Sequence, residues 1–249
     1  MSGHSKWAQI KRQKGVADQK RGQLFTKLGR EIAVAARESG PDPEANARLR
    51  LAIQRARDAN MPMDTIDRAI KRGSGPGEGD NYDEVTYEGY GPGGVAILVA
   101  AMTDNRNRAA AEIRSTFTRN GGNLGESGSV RWLFESRGVI SARLDTQDPD
   151  EIALLAIDAG AEDVDVDDDN LTVYTEPSQL EPVRATLESS GISVSDAEVA
   201  MIPTTSVPVD DRAAEQTLRL IERLEDLDDV QTVYSNAEIP DEVAASLTG

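Results

Sequence analysis

The chain has 249 residues with no cysteine and one histidine, and its 27 Lys/Arg against 44 Asp/Glu give a net charge of −17. Without cysteine there is neither a disulfide framework nor a thiolate metal site, and with His4 as the sole imidazole no multi-histidine metal centre can form. No apolar run approaches the about 18 residues of a membrane span, and the first residues lack an apolar stretch of signal-peptide length, so a soluble protein of the reducing cytoplasm is expected.

The charge is divided by position. Residues 1–75 carry 16 Lys/Arg against 8 Asp/Glu, whereas residues 76–249 carry 11 against 36. A basic head can dock on phosphate while an acidic body is repelled by it, which predicts one localised contact with a polyanion.

Residues 1–20 are basic and weakly periodic, with Lys6, Lys11, Arg12, Lys14 and Lys20 around Trp7 and Ile10. They read as a short helix or an arm; Trp7 could stack on a base or anchor the first helix. Residues 23–39 are helical, with Leu24, Leu28, Ile32 and Ala35 on one face and Lys20, Lys27, Arg30 and Arg37 on another arc. Arg21 adds to the same basic head. Gly40-Pro41-Asp42-Pro43 breaks the chain. A second helix then carries Leu49, Ala52, Ile53 and Ala56, flanked by Arg48 and Arg55. A third starts at Asn60-Met61-Pro62 and closes at Gly73. Residues 74–80 form a linker by composition.

Beyond the linker, strands are expected over residues 85–90 and 95–102, joined by Gly91-Pro92-Gly93-Gly94 with Pro92 and Gly93 central in a type II turn. A helix over 108–119 and a short strand over 130–134 follow. Residues 138–202 show β-α-β-β-α-β order, the split βαβ signature. A last helix over 211–227 and a strand over 231–234 would complete the sheet begun at 82–134.

Catalytic patterns are weak. Asp163, Asp165, Asp167, Asp168 and Asp169 lack the EF-hand glycine and terminal glutamate and read as a solvated edge. The Gly91–Gly94 run lacks the Gly-Lys-Ser/Thr of a phosphate loop and leads into a strand, not a helix. Residues 121–129 hold four glycines and read as an exposed contact loop or as plain turns. In Thr103-Asp104-Asn105-Arg106-Asn107-Arg108, the asparagines suit a helix cap, while Asn105, Arg106 and Arg108 also suit a polar recognition edge.

Gly3-His4-Ser5-Lys6-Trp7, Lys14-Gly15, Lys20-Arg21-Gly22 and Phe25-Thr26-Lys27-Leu28 resemble the opening of the YebC family. The resemblance continues through Arg48-Leu49-Arg50, Ala59-Asn60-Met61-Pro62, Tyr87–Gly94, Thr103–Arg108 and Gly121–Gly125, and so spans the chain. It implies a helical N-terminal domain plus two α/β domains, one inserted in the other. It also implies a regulatory role, described as DNA binding at promoters or as ribosome-associated relief of stalling at proline-rich stretches. No catalytic residues are described for the family. This chain departs from the pattern in its acidic residues 163–169 and in having all six lysines at or before Lys71.

The expected fold class is multidomain α and α+β. It comprises a basic three-helix domain (1–75), a discontinuous α/β middle domain (80–135 plus 204–240) and an inserted ferredoxin-like domain (138–202), both α/β domains being read as ferredoxin-like. The expected function is non-enzymatic regulation of gene expression through nucleic-acid contact by the head. The alternatives are a ribosome-associated translation factor and a protein-interaction adaptor. The candidate contacts are Lys6, Trp7, Lys11, Arg12, Lys14, Lys20, Arg21, Lys27, Arg30, Arg48, Arg55, Asn105, Arg106 and Arg108. The expected partners are promoter DNA or ribosomal RNA, with ribosomal proteins as further candidates. A monomer without metal, cofactor or membrane attachment is expected.

Overall fold

The computed structural model describes residues 18–75, 82–144, 147–167, 169–240 and 243, and the side chains of residues 18–20 lie outside that description. Three helices open it: α1 (Asp18–Ser39), α2 (Ala47–Asp58) and α3 (Met63–Ser74). Each buries one stripe at helical spacing. Leu28, Ile32 and Ala36 come from α1, Leu49, Ala52, Ile53 and Ala56 from α2, and Ile66 and Ala69 from α3, and together they make one core. Asn46 fixes the turn between α1 and α2. Its side-chain oxygen accepts from Leu49 N at 3.0 Å, and its Nδ2 donates to Ala35 O and Gly40 O, each at 2.8 Å. α3 lies so close to α1 that a Cβ on Gly73 would stand 2.1 Å from Ala33 O.

The chain continues through β1 (Asp83–Tyr90), β2 (Ala96–Thr103), α4 (Arg106–Arg119), β3 (Asn123–Leu124) and β4 (Phe134–Arg143). Then follow α5 (Pro149–Asp158), β5 (Ala161–Asp167), β6 (Asn170–Thr175), α6 (Leu180–Ser189) and β7 (Ser193–Pro203). β8 (Val207–Pro208), α7 (Asp211–Glu225), β9 (Val230–Ser235) and β10 (Ala237–Glu238) complete the order. The chain divides into two compact units, one comprising Glu135–Ile202 and the other the residues on either side of it in sequence.

In the larger unit the sheet order is β3-β1-β2-β9, with every neighbour antiparallel. Ile97 and Val99 of β2 and Val230 and Val233 of β9 share a core with Ile113 and Phe117 of α4 and Leu218, Ile221 and Leu224 of α7. Gly93 has φ 72° and ψ 9°, and Gly94 N donates to Gly91 O at 3.2 Å, the geometry of the expected type II turn. In the smaller unit the order is β5-β6-β4-β7. Numbered within that unit the strands run 2-3-1-4, the split βαβ arrangement. Its core includes Ile140, Leu171, Val173, Val183 and Leu187. β5 is an outer strand, so its aspartates line a sheet edge.

Two features differ from the sequence reading. The larger unit's sheet has the β1–β2 hairpin at its centre, whereas the smaller unit's hairpin, β5–β6, lies at one side. The difference arises because β3 and β9 add to opposite flanks of the central pair. The strand expected over 130–134 is absent. Residues Arg131–Leu133 form a short 3-10 turn, β4 starts at Phe134, and β3 takes the place beside β1. The cause is a carboxylate 42 residues away, because Glu88 accepts from Val130 N and Arg131 N and removes both donors from any ladder.

Candidate nucleic-acid interface

Lys6, Trp7, Lys11, Arg12 and Lys14 lie outside the described residues, as does the side chain of Lys20 on α1. Arg21 is exposed in the first turns of α1. The other candidates on the head are engaged within the protein. Lys27 donates through Nζ to Glu225 O at 2.7 Å. Arg30 donates to Asp228 O and, at 3.3 Å, to Asp229 Oδ1, and its guanidinium stands 5.1 Å from the centre of the Tyr82 ring. Arg55 donates to both oxygens of Glu31 at 3.1 Å. Arg48 bridges Glu38, at 2.5 Å, and Glu84. Burial alone would lower the Arg48 pKa, and the two carboxylates outweigh it and hold it above its ordinary value.

The run after β2 is organised in the same way. Asn105 caps α4, accepting from Arg108 N at 3.1 Å, so the capping reading describes it. Arg106 pairs with Asp83 at 2.8 Å and stays largely exposed. Arg108 donates to Asp229 Oδ2 and Asp104 Oδ1, each at 2.7 Å. The hydrogen bond that Arg108 donates to Asp229, then the one to Asp104, holds its guanidinium above the ordinary range, and Arg108 in turn holds Asp104 below the usual carboxylate range.

These contacts converge on Asp229, a residue the sequence does not single out. Its carboxylate is buried and receives Arg30 from α1, Arg108 from α4 and the Thr103 hydroxyl, at 2.9 Å, from the end of β2. Its carbonyl also accepts from Met102 N at 2.8 Å. The joint between helical head and sheet is therefore built from arginines around one carboxylate. It borders an open cleft of about 570 Å³ lined almost wholly by charged side chains. Small-molecule sites are mostly apolar, so the cleft is a polar joint in character. A phosphate approaching Arg30 or Arg108 would have to displace carboxylates already in place. On the described part of the head, Arg21, Arg57, Lys71 and Arg72 face solvent.

A second organising carboxylate is Glu88 on β1, 5% exposed. It accepts from Gly128 N at 2.6 Å, Val130 N at 2.8 Å and Arg131 N at 2.7 Å. Burial alone would raise its pKa. The three backbone donors outweigh burial and hold Glu88 below the usual range. The glycine-rich segment is thereby shaped from beneath. Glu88 is one of three acids on β1, with Asp83 and Glu84, and it alone of the three is buried, opposite Leu98 of β2, which the sequence by itself does not distinguish.

Comparison with known proteins matches two family descriptions to this chain. "TACO1/YebC protein N-terminal domain" covers residues 5–76, and "TACO1/YebC second and third domain" covers residues 82–237. A "probable transcriptional regulatory protein" of Halothermothrix orenii is 56% identical over 251 residues, covering 100% of this chain and 99% of that one. A protein of Roseiflexus castenholzii with the same description is 59% identical, covering 98% of each chain. The crystal structure of a conserved hypothetical protein from Aquifex aeolicus superposes with a TM-score of 0.84 at 48% identity, over 90% of this chain and 93% of that one. With both halves matched and relatives aligned end to end, the chain belongs to the TACO1/YebC family.

Proposed function

We propose that this protein is a non-enzymatic regulator of gene expression that docks its basic N-terminal domain on nucleic acid. The observation that carries the reading is the confinement of positive charge: +8 on residues 1–75 against −25 on the rest. The description of its relatives as probable transcriptional regulatory proteins supports the regulatory class. Because Arg30, Arg48, Arg55 and Arg108 hold intramolecular carboxylates, the contact rests on the segment around Lys6–Lys14 and on Arg21, with Arg57, Lys71 and Arg72 as exposed additions. Crosslinking in cells, followed by identification of the bound nucleic acid, tests this: enrichment of DNA or RNA is expected, and enrichment of neither defeats it.

The acidic body favours a second form of the same reading. A ribosome presents RNA phosphate beside basic proteins, which suits a bipolar molecule, whereas a bare DNA duplex offers nothing complementary to a body of −25. Recovery of ribosomal RNA in the crosslinked pool would select this form, and recovery of promoter DNA would select the other.

A further inference from the structure

Trp132 is 72% exposed, the most exposed large apolar side chain among the described residues. An indole left in water forgoes a large burial term, so its position needs a physical account. The loop around it is built rather than loose. The Trp132 indole N–H donates to Ser129 O at 3.1 Å, and the Tyr90 hydroxyl donates to the same oxygen at 3.1 Å. From beneath, the Glu88 carboxylate takes the N–H groups of Gly128, Val130 and Arg131. Ordering such a glycine-rich segment is costly, and here that cost is met on folding and not on binding. With its one polar hydrogen already satisfied, Trp132 offers a partner its π face and no hydrogen-bond readout.

Charge indicates the kind of partner. Residues 105–133 hold five of the eleven cations of the acidic body, with only Glu112 and Glu126 against them. The remainder of residues 76–249 holds six cations against 34 acids. Arg114, Arg119 and Arg131 of this stretch are exposed, and the Arg131 guanidinium spends one donor on Phe134 O at 2.8 Å while meeting no carboxylate in an ion pair among the described residues. Arg106 and Arg108 are paired with carboxylates outside the stretch, and with Arg114, Arg119 and Arg131 exposed the ring still lies in a net-basic stretch of an otherwise strongly acidic body, where a polyanion is tolerated and a basic protein is not favoured.

We propose that Trp132 is a stacking platform for an unpaired base of a single-stranded nucleic acid, with Arg131 beside it for the adjoining phosphate. The proposal rests on the nucleic-acid reading above and adds a second contact, on the body. Base–aromatic stacking tolerates any base, so the platform would seat single-stranded segments without selecting their sequence.

The test uses the full chain, W132A and W132F, titrated by fluorescence anisotropy against a labelled 12-nucleotide oligouridylate and an abasic strand of the same length. W132A should bind the base-bearing strand roughly 5- to 150-fold more weakly and the abasic strand as well as the parent does. W132F should recover most of the loss, and melting temperatures should coincide, since the ring packs little. Equal affinity of W132A and parent for the base-bearing strand overturns the proposal, as does an equal loss on both strands. If W132A loses a basic protein partner while its oligonucleotide affinity is unchanged, the surface is a protein interface and the proposal fails. Failure of the parent to bind either strand defeats the platform together with single-strand docking by the head, leaving duplex DNA as the only target of the head; parent binding to both strands with no effect of W132A defeats the platform alone.

Discussion

Replacing Asp229 with alanine should loosen the joint between the helical head and the sheet. Thr103 is fully buried, and its hydroxyl already accepts from Asn105 N at 3.0 Å, so its hydrogen needs the Asp229 carboxylate. Leaving that donor unsatisfied costs about 1–3 kcal/mol. Arg30, its side chain 13% exposed, loses its anionic partner and keeps the Asp228 carbonyl. Removing one member of a fully buried ion pair costs about 3–5 kcal/mol, and the retained carbonyl and partial exposure reduce that here. The combined loss is about 3–4 kcal/mol, or roughly 6–15 °C in Tm for a unit of this size. Differential scanning calorimetry of the full chain reads it. Arg30→Met should cost less, because Asp229 retains Thr103 and Arg108. The double variant should cost less than the sum of the two. A shift below about 1 °C for D229A, or strict additivity in the double variant, would refute the reasoning.

Glu88→Gln should lower stability by about 2–4 kcal/mol, because an amide cannot accept equally well from three backbone donors. The folded state holds the Glu88 pKa below its unfolded value, so its contribution is full above the unfolded value of about 4.3 and is lost as pH falls through the lowered folded value. Denaturation midpoints followed from pH 6 to about 3 should therefore fall less steeply in E88Q than in the parent. Gly73→Ala forces a Cβ toward Ala33 O and should cost about 1–3 kcal/mol, read as a lowered melting temperature. Asn105→Ala removes the α4 cap and should cost about 1 kcal/mol with no change in oligonucleotide affinity; a stable variant with weakened binding would instead make Asn105 a recognition residue.

Local rules made much of the fold legible. Leu28, Ile32, Leu49, Ala52, Ile53 and Ile66 repeat at helical spacing and all lie in the head's core. The β-α-β-β-α-β order of the smaller unit is readable because its strands and helices are short and separate in sequence. The misread strand over 130–134 shows the limit: an apolar pattern alone cannot reveal that Glu88 captures its donors. The same limit governs the candidate site. The arginines are visible as charges, but their partners are remote in sequence, with Arg30 meeting Asp229 199 residues away and Arg108 meeting it 121 residues away. Charge composition identifies a basic head; only three-dimensional pairing separates the cations that hold the protein together from those left for a ligand.

The most direct test of the central claim is the salt dependence of nucleic-acid binding by the full chain and by a variant with Lys6, Lys11, Arg12 and Lys14 all changed to alanine. Each lost phosphate contact should reduce the slope of log K against log salt by about 0.7–0.9, and affinity should fall alike on every sequence tested. The melting temperature should stay the same, because these positions show no apolar periodicity. Unchanged affinity and slope in this variant would contradict docking through the basic head.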